Sequence, residues 1–190
     1  MVILRGYTPD EAVQLSRRAW DMGITNIEVT LQDTAGIEAL QAVVDAAGIG
    51  TDDRHVGAGT VTDTALVRTA ADVGARYTIS PGIDSDVAAA SLDADLPHLP
   101  GVATPTEIGV AQRLGLDWMK AFPATHLGPA WIRAVRGPYP RIRVVATGGI
   151  NTSNATEFLS HGAHAVALGS ALSHPAQIEA LAAMTGDSPR

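Results

Sequence analysis

The sequence predicts an α/β chain wound into a compact (β/α)8 TIM barrel, and three observations carry that prediction. First, a helix-like segment ends in glycine and runs straight into a short β-type stretch four times: Gly23-Ile-Thr-Asn-Ile-Glu-Val, Gly74-Ala-Arg-Tyr-Thr-Ile-Ser, Gly115-Leu-Asp-Trp-Met-Lys-Ala and Gly162-Ala-His-Ala-Val-Ala-Leu. Second, eight short apolar runs alternate with helical periodicity along the chain, the order of a parallel sheet with crossover helices. Third, the chain has 190 residues, 46% apolar and only 4% aromatic, which suits one domain with a core of Val, Ile, Leu and Ala. An open doubly wound sheet shares the alternation and is the competing arrangement.

The strands are expected near 2–4, 26–31, 55–56, 77–80, 98–99, 118–122, 143–146 and 165–168. Between the first two, Ala12, Leu15, Ala19 and Met22 recur at helical spacing. Ile37, Leu40, Val44 and Ala47 repeat the pattern, as do Leu66, Ala70 and Val73. Glycine suits the left-handed position that closes a helix, because it has no Cβ to clash there. Thr104-Pro-Thr-Glu107 reads as a capping box with proline at the first helical position. The predicted domain covers 1–184, and 185–190 reads as a loose tail.

Composition removes several classes of function. Asp and Glu number 20 against 13 Lys and Arg, a formal charge of −7, so a basic nucleic-acid footprint is not expected. With no cysteine, disulfides, thiolate metal sites and cysteine nucleophiles are excluded. The apolar start, residues 1–4, is too short for a signal-peptide core, and charges interrupt every apolar run. A cytoplasmic location and no membrane partner are therefore expected.

The glycine repeat also sets a register. Glu28 stands five residues after Gly23 and Lys120 five after Gly115; Ile79 and Ala167 are the equivalents in the other two copies. Alternate strands of a barrel share interior layers, so an acid and an amine are expected together inside, among apolar neighbours. Such a pair can be a structural ion pair. It can also be catalytic: burial lowers a lysine pKa, and the free amine can attack a ketone to form a Schiff base. A neighbouring carboxylate can then move protons.

Thr147-Gly148-Gly149-Ile150-Asn151 follows the seventh strand and is expected to open a helix, and Gly169-Ser170 follows the eighth. Barrels bind phosphate with these two loops. Gly57-Ala-Gly-Thr60-Val61 lacks the third glycine of a dinucleotide fingerprint. Gly57, Gly59, Gly148, Gly149 and Gly169 are expected to keep the rim open to a small anion. His161 and His164 straddle Gly162, which argues against a shared metal-ligand face.

Taken together, these motifs resemble one family across nearly the whole chain. They are Glu28-Val-Thr-Leu, Val56-Gly-Ala-Gly-Thr60-Val, Ile79-Ser-Pro-Gly82, Leu99-Pro-Gly-Val, Thr104-Pro-Thr-Glu107, Lys120-Ala-Phe-Pro-Ala, Ala146-Thr-Gly-Gly-Ile150 and Gly169-Ser170. In this order they resemble the 2-keto-3-deoxy-6-phosphogluconate / 2-keto-4-hydroxyglutarate (KDPG/KHG) aldolases, class I pyruvate-dependent enzymes. The resemblance implies that Lys120 forms the Schiff base and Glu28 moves protons through water. It implies that Thr60, Pro81 and Phe122 line the substrate pocket. Thr147, Gly148, Gly149 and Ser170 are implied to hold the substrate phosphate. No metal or other cofactor is expected, the partners are a keto acid or sugar phosphate, and the assembly is a homotrimer.

One position departs from the family pattern. Gln32 stands where the family usually carries an arginine that clamps the pyruvate carboxylate, and an amide brings neither charge nor a bidentate fork. The expected reaction is cleavage of a 2-keto-4-hydroxy acid to pyruvate and an aldehyde, glyceraldehyde 3-phosphate or glyoxylate. The alternatives are a phosphate-binding barrel isomerase or synthase without a Schiff base, and a non-catalytic keto-acid-binding relative.

Overall fold

The computed structural model describes residues 1–48, 53–169, 181 and 183. Strands β1 (Val2–Leu4), β2 (Asn26–Thr30), β3 (His55–Gly59), β4 (Thr78–Ile79) and β5 (His98–Leu99) form one parallel run. Strands β6 (Gly101–Val102), β7 (Trp118–Ala121), β8 (Arg143–Thr147) and β9 (Ala165–Ala167) form a second. Two junctions join the runs into a ring. Leu168 lies opposite Val2, with Ile3 N–H donating to Leu168 O at 2.9 Å and Leu168 N–H to Met1 O at 3.1 Å. At the other junction Lys120 N–H donates to Pro100 O at 2.8 Å. The expected fifth strand thus continues beyond where it was expected to stop. Pro100 has no N–H for the ladder and divides it into β5 and β6.

Helices α1 (Pro9–Asp21), α2 (Thr34–Ala47), α3 (Thr64–Val73), α4 (Ser85–Asp93), α5 (Pro105–Arg113), α6 (Ala124–Leu127), α7 (Pro129–Arg136) and α8 (Ala155–Ser160) fill the connections. Gly23, Gly74, Gly115 and Gly162 have φ of 77°, 86°, 77° and 100°, as their predicted role at helix ends requires. The capping box at Thr104 is present, with Glu107 N–H donating to Thr104 Oγ1 and Thr104 N–H to the Glu107 carboxylate. A second box, Thr8 with Glu11, starts α1; the same sequence signal marks it. No described helix is long and apolar enough to cross a membrane.

Alternation along the strands sorts the side chains. Ile27, Val29, Val56, Ala58, Val144 and Ala146 join the main core with the apolar faces of the helices. A smaller cluster of Ile3, Val145 and Ala167 fills the barrel interior. The strand limits bring two corrections. Gly57 and Gly59 lie within β3 and not in a rim turn. Thr147 likewise belongs to β8, and the next helix begins only at Ala155, so the Thr147–Asn151 segment does not open it. Ser170 and the 185–190 tail lie outside the described residues.

The outward face carries one buried polar cluster. Thr78 Oγ1 lies 2.7 Å from Ser91 Oγ on α4 and 2.8 Å from His98 Nδ1 on β5. His98 is 5% exposed and its Nε2 has no partner among the described residues. Burial pushes this imidazole down to about 4 from 6.5. A depressed folded-state value means the neutral ring stabilises the fold above pH 6.5, and that contribution drains away as pH falls through 4. Between pH 7 and pH 4 the wild type should therefore lose about 3 kcal/mol more than His98→Gln in urea denaturation. Equal losses in the two proteins would remove His98 as the source.

Candidate active site

Five residues of β2 and four of β7 point two functional groups into the same space. Glu28 lies opposite Ile3 and Gly57 in the ladder, and Lys120 lies opposite Gly101 and Val145. Their side chains meet across the interior, with Lys120 Nζ 3.7 Å from Glu28 Oε1. The carboxyl is 1% exposed and the amine 5%. Neither carboxylate oxygen accepts a hydrogen bond among the described residues. Ile79 and Ala167, the other two members of the predicted register set, are buried at 0% and 1%.

Burial dominates the electrostatics. It raises the Glu28 pKa, against the pull of the Lys120 charge, and lowers that of Lys120, against the pull of the Glu28 charge. Both shifts favour the neutral forms, so a proton moves between the two groups at lower cost than in water. The carboxylate owes its place to a missing atom. A Cβ on Gly59 would lie 2.6 Å from Glu28 Cγ and 2.8 Å from Cδ, so only glycine fits there. Gly57 is needed for another reason, because a Cβ there would overlap the Tyr77 ring. These two glycines make room for side chains inside the barrel, which corrects their expected role toward an anion.

Of the other predicted residues that the structure describes, Phe122 makes a contact with this pair. Thr60 follows Gly59 directly and has φ of 59°, a conformation costly for a β-branched residue and concentrated at functional sites. The Phe122 ring centroid is 5.0 Å from Lys120 Nζ. The same ring sets the next turn, since a Cβ on Gly148 would come within 3.1 Å of it. Gly148 and Gly149 have φ of 94° and 77°. Their carbonyls are occupied: Thr125 N–H donates to Gly148 O at 3.2 Å and Asn154 Nδ2 to Gly149 O at 3.0 Å. Thr147, buried at 3%, faces Ala167 across the ladder. Pro81 is exposed and its carbonyl abuts Gly101, the ladder neighbour of Lys120.

Gln32 is exposed, with its Oε1 3.5 Å from Thr30 Oγ1. With Thr60, Thr62, Leu31, Ile37 and Leu66 it lines a cleft of about 410 Å³ between the β2–α2 and β3–α3 loops. A positive charge also acts on the pair from a residue that the sequence did not single out. Arg5 follows β1, and its charge lowers the pKa of both Glu28 and Lys120. No sequence signal marked it, since β1 is three residues long and no helix-closing glycine precedes it.

The family model described as KDPG and KHG aldolase matches residues 1–184. The chain is 35% identical over 176 residues to a probable 2-dehydro-3-deoxy-6-phosphogalactonate aldolase of Rhizobium meliloti, covering 92% of this chain and 82% of the relative. It is 36% identical over 153 residues to a 2-dehydro-3-deoxy-phosphogluconate aldolase of Treponema pallidum, covering 80% and 71%. Its fold matches the crystal structure of KDPG aldolase from Legionella pneumophila, with pyruvate captured as a covalent carbinolamine. That match has a TM-score of 0.83 and 27% identity, over 97% of this chain and 91% of the other.

Proposed function

The chain belongs to the KDPG and KHG aldolase family, and from that premise we propose that it cleaves a 2-keto-3-deoxy-6-phospho sugar acid through a Schiff base on Lys120. The observation that carries this reading is the amine 3.7 Å from a carboxyl, both almost fully buried. The neutral Lys120 amine adds to the keto carbon to give a carbinolamine. Loss of water leaves an iminium, which acts as the electron sink. Glu28, through water, takes the proton of the C4 hydroxyl; the C3–C4 bond breaks, and the aldehyde leaves an enamine behind. Protonation of the enamine at C3 and hydrolysis then release pyruvate and restore the amine. The iminium supplies the electrophile, so the sequence of steps calls on no metal or other cofactor.

Thr60, Pro81 and Phe122 form the wall of the substrate pocket in this reading. Thr147, Gly148 and Gly149 receive the phosphate: with the glycine carbonyls engaged, the turn offers N–H groups to an anion. Ser170 completes that set on the family pattern. Relatives named for both C4 epimers match the chain, so both phosphorylated epimers belong in the assay. The homotrimer is part of the same proposal and is read by sedimentation equilibrium.

The test is borohydride trapping with pyruvate followed by mass spectrometry. Lys120 is the only lysine of the chain, so a reduced pyruvyl adduct there supports the proposal. No adduct at saturating pyruvate would favour a phosphate-binding isomerase or synthase that uses the same loops without covalent chemistry.

Arg5 takes the place of the family arginine at position 32 as the cation for the substrate carboxylate. Arg5→Gln should raise KM for the keto acid by about 10- to 100-fold with a smaller change in kcat, the scale of one lost charge-assisted contact. Gln32→Arg in that background should recover part of the loss. An unchanged KM in Arg5→Gln would assign the carboxylate to another group.

A further inference from the structure

We propose that Tyr77 is a positioning residue for Glu28, closing the lower end of the barrel beneath the carboxylate and tying down the strand that carries it. The inference rests on the reading of Glu28 as the proton-transfer group.

The register brings the two residues together. Ile3, Glu28 and Gly57 form one row across β1, β2 and β3. Ala58 pairs with Thr78, so Tyr77 extends that row by one strand. Thr78 faces α4 through Ser91, and alternation turns Tyr77 inward. The ring lies over Gly57, where a Cβ would overlap three of its atoms. Its hydroxyl reaches across β3 to β2 and donates to Ile27 O at 2.8 Å. Ile27 is the residue before Glu28.

Two consequences follow for the site. The hydroxyl anchors the backbone on which the carboxyl hangs, at a distance where small displacements affect proton transfer. The ring also occupies the space through which water would reach the pair from below, and burial is the main cause of the shifts at Glu28 and Lys120. The phenol remains a donor throughout, because burial and then the Glu28 charge push its own ionisation far up. A ring that merely filled the floor would not need the contact with Ile27 O.

The test uses two variants and a readout in the resting protein. Infrared difference spectra taken across pH follow the Glu28 carboxyl band, identified by its loss in Glu28→Gln. Tyr77→Leu opens the floor and should move the Glu28 titration down by about one pH unit or more. Tyr77→Phe keeps the ring, so the titration should stay in place while kcat falls about three- to tenfold at unchanged KM. The proposal is overturned if Tyr77→Leu leaves the titration where it is, or if kcat of Tyr77→Phe stays within twofold of wild type. Should Tyr77→Leu fail to fold, the kcat against KM split of Tyr77→Phe decides. Failure of the aldolase reading shows elsewhere, as a missing borohydride adduct or an unimpaired Glu28→Gln enzyme, whereas the infrared titration needs no turnover.

Discussion

Lys120→Met is expected to abolish pyruvate release, with kcat down at least about four orders of magnitude, the scale on which removal of a covalent nucleophile acts. Methionine keeps the length and buries without a charge, so the fold is expected to survive. Its thermal midpoint should fall below that of the wild type, since removing one partner leaves the Glu28 carboxyl buried without its counter-charge. Trapping with pyruvate and borohydride should leave no adduct at position 120, and no second lysine exists to take its place. Keto-acid binding measured by calorimetry should persist at reduced affinity. Retained turnover in this variant would end the Schiff-base mechanism outright.

Glu28→Gln is the second large effect, with kcat expected to fall about 10²- to 10⁴-fold, the range for a lost general acid–base group. The amide fits the space that Gly59 leaves, so the loss is chemical and not steric. The variant also changes the pH response in a defined direction. The Glu28 charge raises the pKa of Lys120 while burial and Arg5 lower it. Without the carboxylate only the lowering influences remain, so the Lys120 value falls further. The free amine then persists to lower pH, and adduct formation with pyruvate should extend further into acid than in the wild type. Rapid-mixing measurement of adduct formation across pH checks this. A shift toward alkali would show that Glu28 does not act on the amine in solution.

The two central residues were legible because helix-closing glycines act as register marks. A glycine held at positive φ ends the helix at one place, and the inward positions of the next strand then follow by counting. Glu28 and Lys120 both come after such a glycine. Arg5 escaped the same reasoning for a physical reason: β1 is only three residues long, and no helix-closing glycine precedes it to set its phase. The division at Pro100 was missed because a proline ends a hydrogen-bonded run locally, while the ring lets the strand resume against a different neighbour. Gly57 and Gly59 were assigned to the wrong purpose for a related reason. What they accommodate, the Tyr77 ring and the Glu28 side chain, comes from other strands, and local pattern holds no record of it. Thr60 was named on the family pattern, and its strained backbone was visible only in three dimensions.

The contact between Phe122 and Gly148 bears on how this site could be changed. The ring that lies beside the Lys120 amine is the same ring that sets the closest approach of the glycine turn. A library that varies the turn to admit a longer or uncharged substrate tail would therefore disturb the electrophile pocket, and one that varies Phe122 would disturb the turn. On the proposed assignment of Lys120 and Gly148, substrate range and reactivity are not separable dials. Altered variants should emerge in pairs, with a compensating change at 122 accompanying any side chain introduced at 148.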